Sequence, residues 1–116
     1  MKPLFFIGSS HEDLSGFPEA IKDVTGYALY LAQRGDKHPG AKPLHGFGGA
    51  GVLEVVADHD GDTYRTVYTV RLARTVYVLH AFQKKSTRGV TTPRHEIELG
   101  RERLRRAEAH YAAAFG

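Results

Sequence analysis

Four runs of apolar, β-branched and aromatic residues predict four β-strands. They cover Leu4–Ile7, Val52–Ala57, Tyr64–Leu72 and Val76–Gln83. The dipeptide Asp60-Gly61 between the second and third runs favours a tight hairpin turn, because both residue types tolerate positive φ. The last three strands are therefore predicted to form an antiparallel meander.

The remaining apolar residues recur at helical spacing and predict three helices. The first begins at Ser10 and meets Gly16, and the second begins at Pro18 and ends at Gly35. The third begins at Thr92-Pro93, with Thr92 as the N-terminal cap. Their predicted buried stripes are Ile21, Val24, Ala28 and Leu31 in the second helix, and Ile97, Gly100, Leu104, Ala107 and Tyr111 in the third.

This order, β-α-α-β-β-β-α, predicts a single domain over residues 1–116 of the α+β class. The helices are expected to pack on one face of a small, largely antiparallel sheet and to leave part of the other face open. Residues 35–51 are rich in Gly, Pro, Lys and His and are interpreted as a surface loop. The open face is the expected binding surface.

Composition narrows the chemistry that the chain can perform. It has no cysteine, which excludes disulfides, thiolate catalysis and cysteine-based zinc sites. The seven histidines lack metal-ligand spacing, so we expect no metal and no cofactor. No apolar run approaches the roughly 20 residues that span a bilayer, and the apolar N-terminal run is too short for a secretory signal. The expected location is the cytoplasm, with no membrane association.

The formal net charge is only +3, but the cations are unevenly placed. Eight of them lie in the last third of the chain: Lys84, Lys85, Arg88, Arg94, Arg101, Arg103, Arg105 and Arg106. A mild excess of positive charge indicates nucleic-acid binding only when the cations cluster. We assign contacts with RNA phosphates to Lys42, Arg88, Arg94 and Arg101; a solvated helix face explains the helical arginines equally well.

The strand that ends in Lys84-Lys85 is the strongest chemical signal, because the preceding strand carries Arg65. When the 2′-hydroxyl of RNA attacks the adjacent phosphate, charge develops on phosphate oxygens that guanidinium and ammonium groups stabilise. Since side chains alternate along a strand, only one of the two lysines can face Arg65. His59, beside the Asp-Gly turn, is the candidate general base, although an ordinary turn residue without a catalytic role is the favoured interpretation. A structural alternative pairs Arg65 with Glu54 across the strands.

Two further interpretations concern the lysine pair and His80. Lysines at the end of a strand also protect a sheet edge against aggregation, without any catalytic role. His80 lies in the middle of an apolar strand and is interpreted as a core histidine with its hydrogen bonds satisfied rather than as a catalytic one.

Together these motifs resemble a known family. The segments Gly51–Glu54, Thr63–Tyr68 and Val78–Lys85 are similar to the phage-derived HigB-like branch of the RelE/ParE toxin superfamily. Lys42–Leu44 before the glycine-rich loop and Thr92-Pro93 before the last helix also match. The resemblance spans nearly the whole chain, and its combination of an aromatic residue and Lys-Lys with an upstream Tyr-Arg is fairly specific.

The resemblance implies the toxin of a type II toxin–antitoxin pair with a RelE-like fold. The RelE and HigB branches cut messenger RNA inside the translating ribosome without a metal. Carried over to this chain, the resemblance gives the phosphate-stabilising role to Arg65 and cationic roles to Lys84 and Lys85. His59 is a weaker candidate for the histidine that some HigB-like members use. Toxins of the ParE branch instead bind DNA gyrase without enzymatic action, and a third possibility is an inactive module that only binds an antitoxin.

The partners that the resemblance implies are the ribosome with its mRNA and a small antitoxin with a helix-turn-helix domain. Binding of the antitoxin would mask the open face of the toxin. The pair would contact operator DNA only through the antitoxin.

Overall fold

A computed structural model describes residues 1–49, 51–85 and 92–116 of the chain. The described elements, in chain order, are β1 (Leu4–Phe6), α1 (Ser10–Ser15), α2 (Glu19–Gln33), β2 (Ala41–Pro43), β3 (Val52–His59), β4 (Asp62–Thr69), β5 (Val76–Lys84) and α3 (Arg94–Phe115). None of the helices in these ranges is long and apolar enough to cross a membrane.

The strands form one mixed sheet in the order β1-β5-β4-β3-β2. Strands β3, β4 and β5 make the predicted antiparallel meander, and β1 adds to β5 in parallel. The turn between β3 and β4 lies at Asp60 and Gly61, whose φ angles of 50° and 82° fit a hairpin with positive φ at both central residues. The predicted α+β class is therefore confirmed.

One short strand was not predicted. Residues 41–43, interpreted as part of a surface loop, form β2 and pair antiparallel with β3, so that Lys42 lies opposite Glu54. The hydrophobic pattern could not show this strand, because three residues that include Lys42 and Pro43 carry no alternation to read. Pro43 also suits only an edge strand. The correction places Lys42 at the border of the sheet.

A β-bulge interrupts the pairing of β4 with β5. Val67 pairs with His80, whereas the next residue, Tyr68, pairs with Val78. Leu79 is therefore the extra residue in β5, and the alternation of side chains changes phase there. As a result, the residues from His80 onward lie on the faces opposite to those that a strictly alternating strand would assign to them.

The two faces of the sheet carry separate hydrophobic clusters. Helix α2 packs on one face, against a cluster that includes Tyr68, Val76 and Val78. Helix α3 packs on the other, against a cluster that includes Tyr77 and Phe82. The sequence had led us to expect all helices on one face of the sheet. That expectation is wrong, because α2 and α3 cover opposite faces. The apolar residues of β5 face both ways and require cover on both sides of the sheet.

The helix boundaries agree with the prediction to within one or two residues, but the caps differ. Pro93, not Thr92, is the residue that precedes α3, and its side chain makes no capping hydrogen bond. Within α3 the predicted Gly100, Leu104 and Ala107 are buried. Arg103 is buried beside them, although the pattern had placed arginines on the solvent side of the helix.

In α2 the buried stripe is rotated relative to the prediction. Its buried residues are Ile21, Thr25, Ala28, Leu29 and Ala32. Val24, predicted to be buried, is instead exposed.

Candidate functional site

A continuous groove, which we call the α3 groove, lies between β2, the end of β5 and the first two turns of α3. Two adjoining depressions share His45, Thr92 and Ile97 and together form it. The described residues that line it are Lys42, Pro43, Leu44, His45, Gly46, Glu54, Lys84, Thr92, Pro93, Arg94, Ile97, Glu98 and Arg101.

A buried ion pair lies under this groove. The guanidinium of Arg65 donates from Nη1 to Glu54 Oε1 at 2.9 Å and to Thr92 Oγ1 at 3.2 Å. The Thr92 hydroxyl donates to the second carboxylate oxygen of Glu54 at 2.6 Å. Both carboxylate oxygens therefore have partners, as a buried charge requires. The network joins β3 and β4 to the residue just before α3.

This arrangement corrects the expectation for Arg65. Its side chain is 5% exposed, so the guanidinium does not face an open surface. The reason is geometric: Arg65 lies opposite Val56 in β3, and Glu54 is its diagonal neighbour on the same face. The alternative reading, in which Glu54 and Arg65 pair across the strands, is confirmed. Arg65 supports the groove from below.

Lys84 is the lysine of the doublet that shares a face with Arg65. Lys84 lies opposite Thr63, and Arg65 lies opposite Phe82, so the two cations occupy diagonal positions on neighbouring strands. Lys84 is partly exposed and lines the α3 groove. Lys85 follows the last residue of β5 and is exposed outside the lining of the groove. The structure therefore separates the two lysines.

His59 lies away from the groove. It is the last residue of β3, and alternation along the strand puts it on the face opposite Glu54. Its Nε2 atom is 3.4 Å from the carboxylate of Asp60 in the hairpin turn. The structure does not bring His59 together with Lys84 or Arg65.

Three of the four predicted RNA-binding residues line the groove. Lys42 is exposed on β2, opposite Glu54. Arg94 is exposed at the start of α3 and contacts Glu98 at 3.1 Å. Arg101 donates from Nε to the carbonyl oxygen of Gly46 at 2.6 Å. The fourth, Arg88, lies outside the described residues.

His45 was missed by the sequence reasoning. It is exposed and lies where the two depressions of the α3 groove meet, which makes it the histidine of the groove among the described residues. Nothing in the glycine-rich segment around it distinguishes it from a loop histidine. The contact of Thr92 with Glu54 was also invisible, since 38 residues separate them.

A second buried network joins α3 to the bulge in β5. The guanidinium of Arg103 donates to the carbonyl oxygen of Leu79 at 3.1 Å and lies 3.3 Å from His80 Nδ1. Arginine has no acceptor, so Nδ1 accepts and the opposite nitrogen, Nε2, donates to Glu96 Oε1 at 2.8 Å. His80 is thus a core histidine with satisfied ring nitrogens, as predicted.

The charges around the α3 groove suit it to bind an anion. No group of three or more His, Asp or Glu side chains that could hold a metal ion occurs within residues 1–49, 51–85 and 92–116. Four cations surround the groove, and its two carboxylates, Glu54 and Glu98, each contact an arginine. Such a surface suits an anion with several charges along its length, such as a nucleic-acid strand.

Comparison with protein families gives an independent result. A family model described as "Phage derived protein Gp49-like (DUF891)" matches residues 12–105 of the 116. The match includes β2 to β5 and the first half of α3, and so contains every described residue that lines the α3 groove. Neither the curated proteins nor the solved structures gave a significant match.

Proposed function

Because the chain belongs to the Gp49-like family of phage-derived proteins, a family of the RelE-like toxin type, we propose that it is the toxin of a toxin–antitoxin pair. We further propose that it cuts messenger RNA inside the ribosome, in the cytoplasm. The observation that carries this proposal is the α3 groove, where Lys42, Lys84, Arg94 and Arg101 come together from three different elements.

The proposed reaction needs no group beyond the protein and the RNA. The 2′-hydroxyl attacks the neighbouring phosphorus, the new P–O bond gives a 2′,3′-cyclic phosphate, and the 5′ oxygen leaves with a proton. Lys84, on a rigid strand, is placed to stabilise the charge that develops on the phosphate oxygens. His45 is the groove residue best suited to proton transfer, since histidine side chains exchange protons near neutral pH.

Arg65 enters this proposal as a positioning residue. Its ion pair with Glu54 and its hydrogen bond with Thr92 hold the floor of the groove and the approach to α3. Burial reduces the solvent screening of the Arg65 charge, so a phosphate in the groove would still experience part of it. The paired carboxylate of Glu54 offsets most of that charge.

The proposed partner in the resting state is a helix-turn-helix antitoxin, and operator DNA would be contacted only through that antitoxin. The toxin type of the family supports an antitoxin partner. The ribosome and mRNA are the proposed targets.

The test is inducible expression in bacteria with mapping of the 5′ ends of cellular transcripts. The wild-type chain should arrest growth and produce new 5′ ends at positions tied to codons. The variant Lys84→Ala with Arg101→Ala should lose at least about tenfold in cleavage, because removing one donor that stabilises charge in a transition state costs on the order of 100–1000-fold.

The matched control is Arg105→Ala with Arg106→Ala, which removes the same charge from exposed positions of α3 outside the groove. It should cut transcripts like the wild type. Growth arrest without new 5′ ends, or equal cleavage by both double variants, contradicts the proposal.

A second candidate is a toxin-like protein that binds without cutting RNA. The burial of Arg65 in an ion pair favours it, because that guanidinium was the cation expected to contact phosphate. Harmless expression together with tight antitoxin binding would support an inactive module. DNA-damage signalling without RNA cuts would support a gyrase-binding toxin.

A further inference from the structure

A second groove, which we call the α2 groove, lies at the opposite end of β5 from the α3 groove. It is formed by the first residues of the chain, the end of α2 and the turn between β4 and β5. Strand β5 runs from Val76 at this end to Lys84 at the other. Nine residues of extended chain separate the two ends by roughly 26 Å, so the two grooves are distinct surfaces.

The charges of the α2 groove all have one sign. The described side chains that line it include Lys2, Arg34 and Arg74 and no carboxylate. Arg34 and Arg74 are both exposed. Three cations around one depression are positioned to bind an acidic ligand, and they belong to segments far apart in sequence, which only the fold brings together.

Aromatic rings hold both arginines in place. The Arg34 guanidinium lies 5.7 Å from the centre of the Tyr30 ring and donates from Nη1 to its hydroxyl at 3.1 Å. This contact raises the pKa of Arg34 above its ordinary value. The Arg74 guanidinium lies 5.2 Å from the ring centre of Phe115. An arginine that is already oriented loses less side-chain entropy when it binds a carboxylate.

Exposed apolar side chains continue from the groove along α2. Val24, Tyr27 and Tyr30 are 37%, 54% and 41% exposed and recur every three residues, so they form a stripe on the solvent side of the helix. The rings of Tyr27 and Tyr30 stack on each other with centres 6.5 Å apart. A contiguous apolar stripe of this kind is typical of a protein contact.

We propose that the α2 groove and the adjoining stripe bind an acidic, amphipathic helical segment of a partner protein. The carboxylates of that segment would meet Arg34 and Arg74, and its apolar side chains would cover Val24 and the two tyrosines. An RNA strand fits less well, because the stripe that continues the groove is apolar and includes Val24, which offers phosphates no charge. The site does not require the α3 groove, so a partner bound here leaves the RNA-facing end of the sheet accessible.

The probe is a capped 14-residue peptide of glutamate and leucine, arranged so that a helix has one acidic and one apolar face. It is titrated into ¹⁵N-labelled full-length protein and followed by NMR. The amide signals of Lys2, Tyr30, Arg34 and Arg74 should shift, while those of Lys84 and Arg101 should not. The same peptide with glutamine in place of glutamate should bind about tenfold more weakly.

Arg34→Ala with Arg74→Ala should raise the dissociation constant of the peptide about tenfold, and Tyr30→Ala should also weaken binding. Arg105→Ala with Arg106→Ala is the charge-matched control and should stay within about twofold of the wild type. Melting temperatures of all variants verify that each is folded.

Three outcomes overturn the inference: equal weakening by the two arginine pairs, shifts centred on the α3 groove, or displacement of the peptide from the α2 groove by an oligouridylate. These outcomes are independent of RNA cleavage. Cleavage can therefore fail while the peptide still binds, and the reverse holds as well.

Discussion

Gly8 lies at a position of the fold that requires glycine. Gly8 has a φ angle of 59°, and a Cβ atom placed on it would lie 2.8 Å from Nε of Arg103. The Arg103 guanidinium is buried and contacts Leu79 and Ser9, so it has little room to move. Glycine at position 8 is thus required both by its backbone conformation and by the packing of α3 on the sheet.

We predict that Gly8→Ala destabilises the protein more than Gly61→Ala. Gly61 also has positive φ, at 82°, but a Cβ there meets nothing within 4 Å. Its substitution should cost about 1–2 kcal/mol through backbone strain alone. Gly8→Ala should cost at least about 1 kcal/mol more, because the buried guanidinium must shift. Urea unfolding measures both, and equal losses would contradict the contact.

Tyr68 supplies a second prediction at this scale. It is fully buried, its hydroxyl has no hydrogen-bond partner among the described residues, and burial raises its pKa to about 12. The unfolded phenol titrates near pH 10, so its share of the stability is complete below about pH 10 and is lost as the pH rises to about 12.

We therefore predict that Tyr68→Phe raises the free energy of unfolding by about 1 kcal/mol at neutral pH, since it removes a buried polar group that lacks a partner. It should also reduce the loss of stability between pH 10 and pH 12. Urea unfolding at pH 7, 10 and 11.5 tests both effects. An unchanged pH dependence would show that Tyr68 is not the group that titrates.

At the scale of elements, α3 is held to the sheet by polar networks as well as by apolar packing. The Glu54–Arg65–Thr92 network lies before its first turn, and the His80–Glu96–Arg103 network follows along the helix. Leu104 and Ala107 then complete the apolar contact. Glu54 and Thr92 of the first network also line the α3 groove, so the contacts that hold the start of α3 shape that groove as well.

We predict that Glu54→Ala destabilises the protein by about 3–5 kcal/mol, because it leaves the buried charge of Arg65 without its carboxylate. Glu98→Ala removes an exposed partner of Arg94 in the same groove and should cost about 0.5 kcal/mol or less. Chemical unfolding compares the two variants. Similar small losses would mean that Arg65 is solvated and available to a ligand.

For the whole molecule, the placement of charged residues says more about binding surfaces than the net charge does. The net charge is +3, yet cations gather at both ends of β5 and leave two separate basic surfaces. At one end they line a groove beside the wall of α3. At the other they border exposed tyrosines. This division underlies the two proposals, which place RNA at one end of β5 and a partner protein at the other.

We predict that RNA binding depends steeply on salt and that the dependence belongs to the α3 groove. For single strands, the slope of log K against log salt is about −0.7 for each phosphate neutralised. Lys84→Ala with Arg101→Ala should make the slope shallower by about 0.7–1.4, whereas Arg34→Ala with Arg74→Ala should leave it unchanged. Fluorescence titration of an oligouridylate at several salt concentrations measures it; equal changes in both variants would place the RNA elsewhere.

Local patterns in the sequence account for the three described helices, for every described strand except β2 and for the cations in the last third of the chain. Strands β3 to β5 and the three helices follow from local periodicity, and the Asp60-Gly61 turn follows from the conformational freedom of two adjacent residues. Such features depend on neighbours in the chain, which is why a pattern can show them. The choice between Lys84 and Lys85 remained open, because it depends on which face of the sheet each lysine takes relative to Arg65 on another strand.

Long-range packing determines which groups face one another. The bulge at Leu79 changes the alternation of β5, and β2 exists only because β3 offers it an edge. Arg65 is buried because Glu54 and Thr92 reach it from 11 and 27 residues away. The energy of burying a charge depends on partners brought by long-range packing, and no local pattern of residues contains that information.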